Sequence, residues 1–174
     1  MVSRLCAKRL NKEISMYKKE NFSFPNLILR YDDDDILTWY FIVHDLQDTA
    51  FHGGVYFGKI MLHHEYPLKP PNFIFITPNG RFETDKKICT TFSAYHEDTY
   101  TSTWNILTMM EGMISFMTDI NPEKGIGYIN TTDIEKNALA NDSLSWNKNN
   151  LFTNYFSIII KINLKLCIKI IKIF

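Results

Sequence analysis

The run Tyr66-Pro-Leu-Lys-Pro-Pro71 places three prolines within six residues. Proline lacks a backbone N–H and locks φ near −65°, so this stretch can be neither a helix interior nor a central strand. It must be a stiff loop, and what flanks it is extended. Residues 26–31, 36–44 and 55–62 precede it, and residues 73–76 follow. The second of these, ILTWYFIVH, is dense in β-branched and aromatic side chains. Between the first two lies Asp32-Asp-Asp-Asp35, four like charges that suit a turn, and Gly53-Gly54 opens the third. Connections of roughly 4–12 residues with no helical period between them favour an antiparallel meander over βαβ units.

Helical patterns flank the strands. In residues 3–19, Cys6, Leu10, Ile14 and Tyr17 fall on one face, and Arg4, Lys8 and Lys12 make a second stripe, which by itself reads as a solvated face. The irregular stretch 77–103 is long for a structureless connection but rich in aromatics, which points to function rather than disorder. A helix is expected from about Trp104, carried by Ile106, Met109, Met110, Met113, Ile114 and Met117 and ended by Asn121-Pro122. Its four methionines read as core packing, not as a cofactor box. Thr132-Asp-Ile-Glu135 is a capping box that opens a last helix, expected to run to about Trp146.

With 174 residues there is material for one core, an α+β domain over residues 3–147. Residues 148–174 turn into an Ile-, Lys- and Asn-rich low-complexity tail. Lys161, Lys165, Lys169 and Lys172 share one helical stripe there. Charges near a bilayer centre cost about 2.5–3.5 kcal/mol each, so a helix lying on a membrane surface fits better than one spanning it.

Lys plus Arg and Asp plus Glu both total 19, a net charge of zero that removes the basic excess expected of a nucleic-acid binder. Cys6, Cys89 and Cys167 are too few and too scattered for a disulfide framework, and no CxxC pair suggests zinc. A reducing, cytoplasmic setting follows, and the N-terminal MVSRLCAKRLNKE has no apolar signal core. No phosphate-cradling glycine motif is present. His63-His64-Glu65 resembles a metal cluster, but strand alternation would send the two imidazoles to opposite faces, so no metal is expected.

Cys89 lies in the irregular segment, in Asp85-Lys-Lys-Ile-Cys89-Thr-Thr. Lys86 and Lys87 favour a thiolate, and His96 follows seven residues later. These residues alone leave the thiol open between an inert side chain and a nucleophile.

The order of helix, four-strand meander, Tyr66-Pro-Leu-Lys-Pro-Pro71, Thr77-Pro-Asn-Gly-Arg-Phe82, loop Cys89, Trp104 and two helices resembles the ubiquitin-conjugating enzymes over about residues 3–147. It is most similar to their endoplasmic-reticulum tail-anchored branch, which carries TPNGRF with its cysteine ten residues after the Asn, as Asn79 and Cys89 stand here. Phe92-Ser-Ala-Tyr-His-Glu-Asp-Thr99 is similar to the branch's segment ending in FHPDTW, and Glu111-Gly-Met-Ile-Ser-Phe-Met117 to its GLLSFM.

The resemblance implies the ubiquitin-conjugating (UBC) fold and a thioester relay. Cys89 would accept ubiquitin from an activating enzyme and pass it to a substrate amine or hydroxyl. Asn79 would donate to the oxyanion, and His96 and Asp98 would orient or deprotonate the acceptor. Arg4, Lys8 and Lys12 would dock the activating enzyme, while Leu68, Ser102 and Thr103 would form the edge for a RING-type ligase. No cofactor is bound directly, since ATP is used by the activating enzyme upstream. The branch acts in endoplasmic-reticulum-associated degradation, so the cytosolic face of that membrane is the implied location, with attachment through the tail. The alternatives are an inactive variant serving as a ubiquitin or ligase binding module, and a cysteine hydrolase using Cys89 and His96. Three features depart from the branch. Tyr100-Thr-Ser-Thr-Trp104 lacks its Asn-Pro-Ala-Trp, Asn121-Pro-Glu-Lys-Gly125 has no clear acidic gate, and the tail is short and studded with lysine.

Overall fold

A computed structural model describes residues 2–17, 25–93, 100–120 and 125–162. Helix α1 (Arg4–Tyr17) leads into strands β1 (Leu27–Tyr31), β2 (Thr38–His44), β3 (Val55–Met61) and β4 (Asn72–Phe75), followed by helices α2 (Ile106–Thr118) and α3 (Asp133–Ile162). The strands form one antiparallel sheet in the order β1-β2-β3-β4, the meander that the short connections implied. One row of the register runs Leu29, Phe41, Gly58, Phe75. Glycine is required in that row because a Cβ at 58 would overlap the Phe41 ring. That ring instead meets Phe75 edge-on at 5.0 Å.

Strand alternation makes two apolar faces, and both are covered. Inward, Leu27, Leu29, Trp39, Phe41, Val43, Ile60, Phe73 and Phe75 share a core with Cys6, Leu10 and Ile14 of α1 and the methionines of α2. Met109, Met110, Met113 and Met117 are all buried there, as expected of packing residues. Outward, Tyr40, Ile42, Phe57 and Ile76 pack with Leu151, Trp146 and Tyr155 of α3.

Most boundaries shift by one or two residues from the pattern reading, and three of the differences have a clear cause. β2 begins at Thr38 and not Ile36, because Asp35 turns the chain by accepting from Leu37 N (3.1 Å) and Thr38 Oγ1 (2.7 Å). α2 begins after Trp104, since Asn105 caps it by accepting from Thr108 N at 3.0 Å while Thr108 Oγ1 accepts from Asn105 N. α3 opens on the expected box, with Glu135 N donating to Thr132 Oγ1 and Thr132 N to Glu135 Oε2. It does not stop near Trp146, however, but continues to Ile162, with one non-helical residue at Tyr155. The sheet explains the continuation. Ser143 Oγ accepts from Val55 N (3.0 Å), Asn147 Nδ2 donates to Val55 O (2.8 Å), and Leu151 and Tyr155 then land on Tyr40 and Phe57.

Candidate active site and its docking edge

The segment carrying Cys89 has no ladder of its own and is pinned from both sides. Asp85 N donates to Phe75 O (2.9 Å) and Ile88 N to Phe73 O (3.0 Å), which hold it along the β4 edge. From the other side, Glu83 N donates to Gly127 O (2.8 Å) and Cys89 N to Ile126 O (2.9 Å). Gly127 has φ +83°, and a Cβ there would press on Lys87 O at 2.9 Å, so this turn segment needs glycine to lie so close. Ile88 is fully buried, and its neighbour Cys89 is half-buried with backbone fixed on both flanks. Cys6, in contrast, is a core thiol whose pKa is raised, first by burial and then by the Glu13 charge.

Asn79 is 1% exposed and organises the turn before this segment. Its Oδ1 accepts from Arg81 N (2.9 Å) and Phe82 N (2.8 Å), and its Nδ2 donates to Thr77 O (3.1 Å). Gly80 sits at φ +77°, and its carbonyl accepts from Thr131 Oγ1 at 2.6 Å. The side-chain amide is therefore the hub of the Pro-Asn-Gly turn, with its oxygen and one Nδ2 hydrogen both engaged.

Arg81, which the sequence did not single out, braces the same turn. It is 3% exposed, its Nε donates to Phe116 O of α2 (2.9 Å), and its guanidinium lies over the Tyr128 ring at 4.8 Å. Burial holds its pKa below the usual arginine value against the opposing pull of Tyr128 and Asp119.

The two implied docking surfaces are laid out by α1. Arg4, Lys8 and Lys12 all project into solvent from one side of the helix. Leu68 is 64% exposed in the proline-rich loop, and Ser102 and Thr103 are exposed ahead of α2. A network that sequence reading missed joins these pieces. Glu13 is 6% exposed and accepts from Arg9 Nε, from Tyr66 Oη (2.7 Å) and from Ile106 N (2.9 Å). Arg9 in turn donates to Ser102 O (3.0 Å), Thr103 O (3.5 Å) and Trp104 O (2.6 Å). Burial pulls Arg9 down, but its hydrogen bond to Glu13 and the Tyr66 and Glu13 charges leave its pKa raised. Burial and then Glu13 push the Tyr66 hydroxyl far above the normal phenol range. The only local signal for this network was the i, i+4 spacing of Arg9 and Glu13.

His96 and Asp98 lie outside the described residues, as does most of Asn121-Pro-Glu-Lys-Gly125. Strand alternation does not separate His63, His64 and Glu65, because β3 ends at Met61 and the three residues lie in the turn that follows, with ligand atoms within 4.8 Å of one another. Lys69 Nζ nevertheless sits 3.6 Å from the Glu65 carboxylate, and His63 Nδ1 accepts from Glu65 N at 3.1 Å. The cluster thus reads as an exposed ion pair beside two imidazoles in tilted contact.

Residues 9–144 match the family model described as ubiquitin-conjugating enzyme. The chain belongs to the ubiquitin-conjugating enzyme family. It is 42% identical over 147 residues to ubiquitin-conjugating enzyme E2 34 of Arabidopsis thaliana, covering 84% of this chain and 60% of that one. Against ubiquitin-conjugating enzyme E2 6 of Saccharomyces cerevisiae it is 36% identical, over 84% of this chain and 57% of the relative. Against E2 J2 of Homo sapiens the figures are 34%, 85% and 56%. The chain therefore spans about three fifths of the length of these relatives. The solved structure of human ubiquitin-conjugating enzyme E2 G1 superposes with a TM-score of 0.55 over 63% of this chain and 92% of that one. At 23% identity it establishes the UBC fold, the α+β arrangement of helices around a four-stranded antiparallel sheet. No described helix is long and apolar enough to cross a membrane.

Proposed function

We propose that the protein accepts ubiquitin from an activating enzyme as a thioester on Cys89 and transfers it, with a ligase, to a substrate amine. One observation carries the reading: Cys89 is partly exposed on a segment whose backbone is fixed at Ile88 N and Cys89 N, and residues 126–129 tie it to the Asn79 turn through Cys89 N to Ile126 O and Ile129 N to Arg81 O. In charging, Cys89 Sγ forms a C–S bond to the ubiquitin carbonyl as the activating enzyme's C–S bond breaks, and the Cys89 proton goes to the departing thiolate. In transfer, the acceptor nitrogen forms a C–N bond, Cys89 leaves as thiolate, and the amine gives up a proton. The incoming thioester is already a reactive acyl donor and a thiol is intrinsically very nucleophilic, so Cys89 needs no strong dedicated base.

Both steps develop charge on the carbonyl oxygen. The second Nδ2 hydrogen of Asn79 is the donor assigned to it, a role worth about 2.7–4 kcal/mol where a fixed donor of this kind is removed. His96 and Asp98 are assigned to the acceptor's orientation and deprotonation. Arg4, Lys8 and Lys12 are assigned to the activating enzyme, and Leu68, Ser102 and Thr103 to a RING-type ligase. The exposed apolar Leu68 supports the last assignment, since such a side chain can anchor a modest interface. No cofactor is required on the chain itself, because ATP is consumed upstream. Association of the tail beyond Tyr155, residues 156–174, with the endoplasmic-reticulum surface completes the proposal, supported by the lysine stripe alone.

The test is incubation with ubiquitin, activating enzyme and ATP, read on gels with and without reductant. A reductant-labile adduct that becomes reductant-stable in Cys89→Ser is expected. Absence of any adduct across a panel of ubiquitin-like modifiers overturns the reading, and ATP-independent ester turnover would favour hydrolysis instead.

A further inference from the structure

We propose that Arg9 is a positioning residue for the ligase-facing loop, setting where Ser102–Trp104 stands relative to Leu68. The inference rests on the conjugating reading above and adds to it a residue that acts through the backbone of the loop.

Residues 100–105 belong to no helix or strand, and no proline fixes φ within Thr101-Ser-Thr. Their internal bonds are local: Trp104 N donates to Thr101 O at 3.2 Å, and Thr103 N to Thr101 Oγ1 at 3.4 Å. Such a loop has no intrinsic reason to keep one conformation. Arg9 supplies one by reaching three successive carbonyls, those of Ser102, Thr103 and Trp104, across more than 90 residues of chain. A guanidinium presents its N–H groups in a rigid planar fork, so fixing one edge aims the rest. Glu13 fixes that edge through Nε, which leaves Nη1 and Nη2 facing the loop. Glu13 also accepts from Tyr66 Oη, two residues before Leu68, and from Ile106 N at the start of α2. The same carboxylate thus registers the proline-rich loop, the 102–104 loop and α2 against α1. The two exposed pieces of the ligase edge are held at a fixed separation by a pair of residues beneath them.

The Arg9→Lys variant tests this, since it keeps the charge beside Glu13 but cannot fork to three carbonyls. An Arg9→Ala/Glu13→Gln double variant removes both charges together and guards against misfolding from one unpaired buried group. Full-length protein is charged with ubiquitin and isolated. Discharge to free lysine is then timed with and without a RING domain chosen because it accelerates the unsubstituted protein. Hydrogen exchange is followed in a peptide spanning 101–105. Both variants should exchange at least five-fold faster there and lose at least five-fold in the ratio of stimulated to unstimulated discharge. Exchange or ratio within two-fold of the unsubstituted protein overturns the inference while leaving the conjugating reading intact. Failure of the unsubstituted protein to charge at all overturns both.

Discussion

The carboxylate of Glu13, in the third turn of α1, accepts the first backbone amide of α2 from Ile106 at 2.9 Å. The amides of a helix's first turn have no intrahelical partner, and a buried negative charge there meets the positive end of the helix dipole. Asn105 serves a second of these amides through Thr108 N, so α2 begins at a position set jointly by its own cap and by a residue 93 positions earlier.

Removing that charge should therefore cost more than one hydrogen bond. Glu13→Ala leaves Arg9 half-buried without its carboxylate and strands Tyr66 Oη and Ile106 N. A loss of about 2–3 kcal/mol is expected, somewhat below a fully buried pair because Arg9 keeps some solvent. Urea unfolding at neutral pH measures it, and a loss under 0.5 kcal/mol would contradict the arrangement.

The two roles of Asn79 separate by substitution. Asn79→Asp keeps an oxygen for Arg81 N and Phe82 N but loses every Nδ2 hydrogen, whereas Asn79→Ala loses both functions. The Asp variant should be the more stable of the two, yet transfer ubiquitin from charged Cys89 roughly 10²-fold more slowly than the unsubstituted protein. Single-turnover discharge paired with thermal unfolding distinguishes the roles. Equal transfer rates in the Asp variant and the unsubstituted protein would confine Asn79 to the turn.

The outer sheet face needs the extension of α3. Leu151 is buried against Tyr40, Ile42, Phe57 and Ile76, and Tyr155 meets the Phe57 ring at 5.1 Å and the Tyr40 ring at 5.9 Å. Leu151→Ala should destabilise by about 2–3 kcal/mol. Ending the chain after Asn147 should lower the melting temperature and raise binding of an apolar dye, because four aromatic and aliphatic side chains lose their cover. An unchanged melting curve for the shortened chain would show that the packing contributes nothing.

Alkaline pH should weaken the fold through its buried phenols. Burial is the main cause that pushes Tyr100 up to about 12, with Glu13 adding and Arg9 opposing, and it raises Tyr66 further still. A phenol whose folded pKa exceeds its unfolded value of about 10 binds its proton more tightly when folded. Its contribution is whole below pH 10 and declines as pH rises towards the folded value, so stability should fall between pH 10 and 12. The Tyr100 hydroxyl is buried with no hydrogen-bond partner among the described residues. Tyr100→Phe should accordingly cost nothing at pH 7 and shallow the alkaline slope, as urea unfolding at both ends of that range will report.

Much of the architecture was legible from local chemistry. The three prolines at 67, 70 and 71 and the four aspartates at 32–35 punctuated the strands, and the methionine spacing marked the buried stripe of α2. The Thr132–Glu135 box marked where α3 starts, because both partners lie within one turn. The change in composition after Asn147 looks like a boundary, which hides the continuation of α3 to Ile162. A continuing stripe at Ala140, Ser143, Asn147, Leu151 and Tyr155 shows its meaning only when a sheet lies beneath it. Cys89 and Asn79 are singled out by resemblance to a motif, since they stand ten positions apart in one loop.

Periodicity, proline placement and capping thus sufficed for the elements and their order, because each depends on neighbours a few positions away. Only folding decided that Arg9, Glu13, Tyr66 and Ile106 meet, that Arg81 braces the Asn79 turn from Phe116, and that a tail residue completes the outer core. Those contacts join groups tens of residues apart, and their energy depends on burial, which no local pattern encodes.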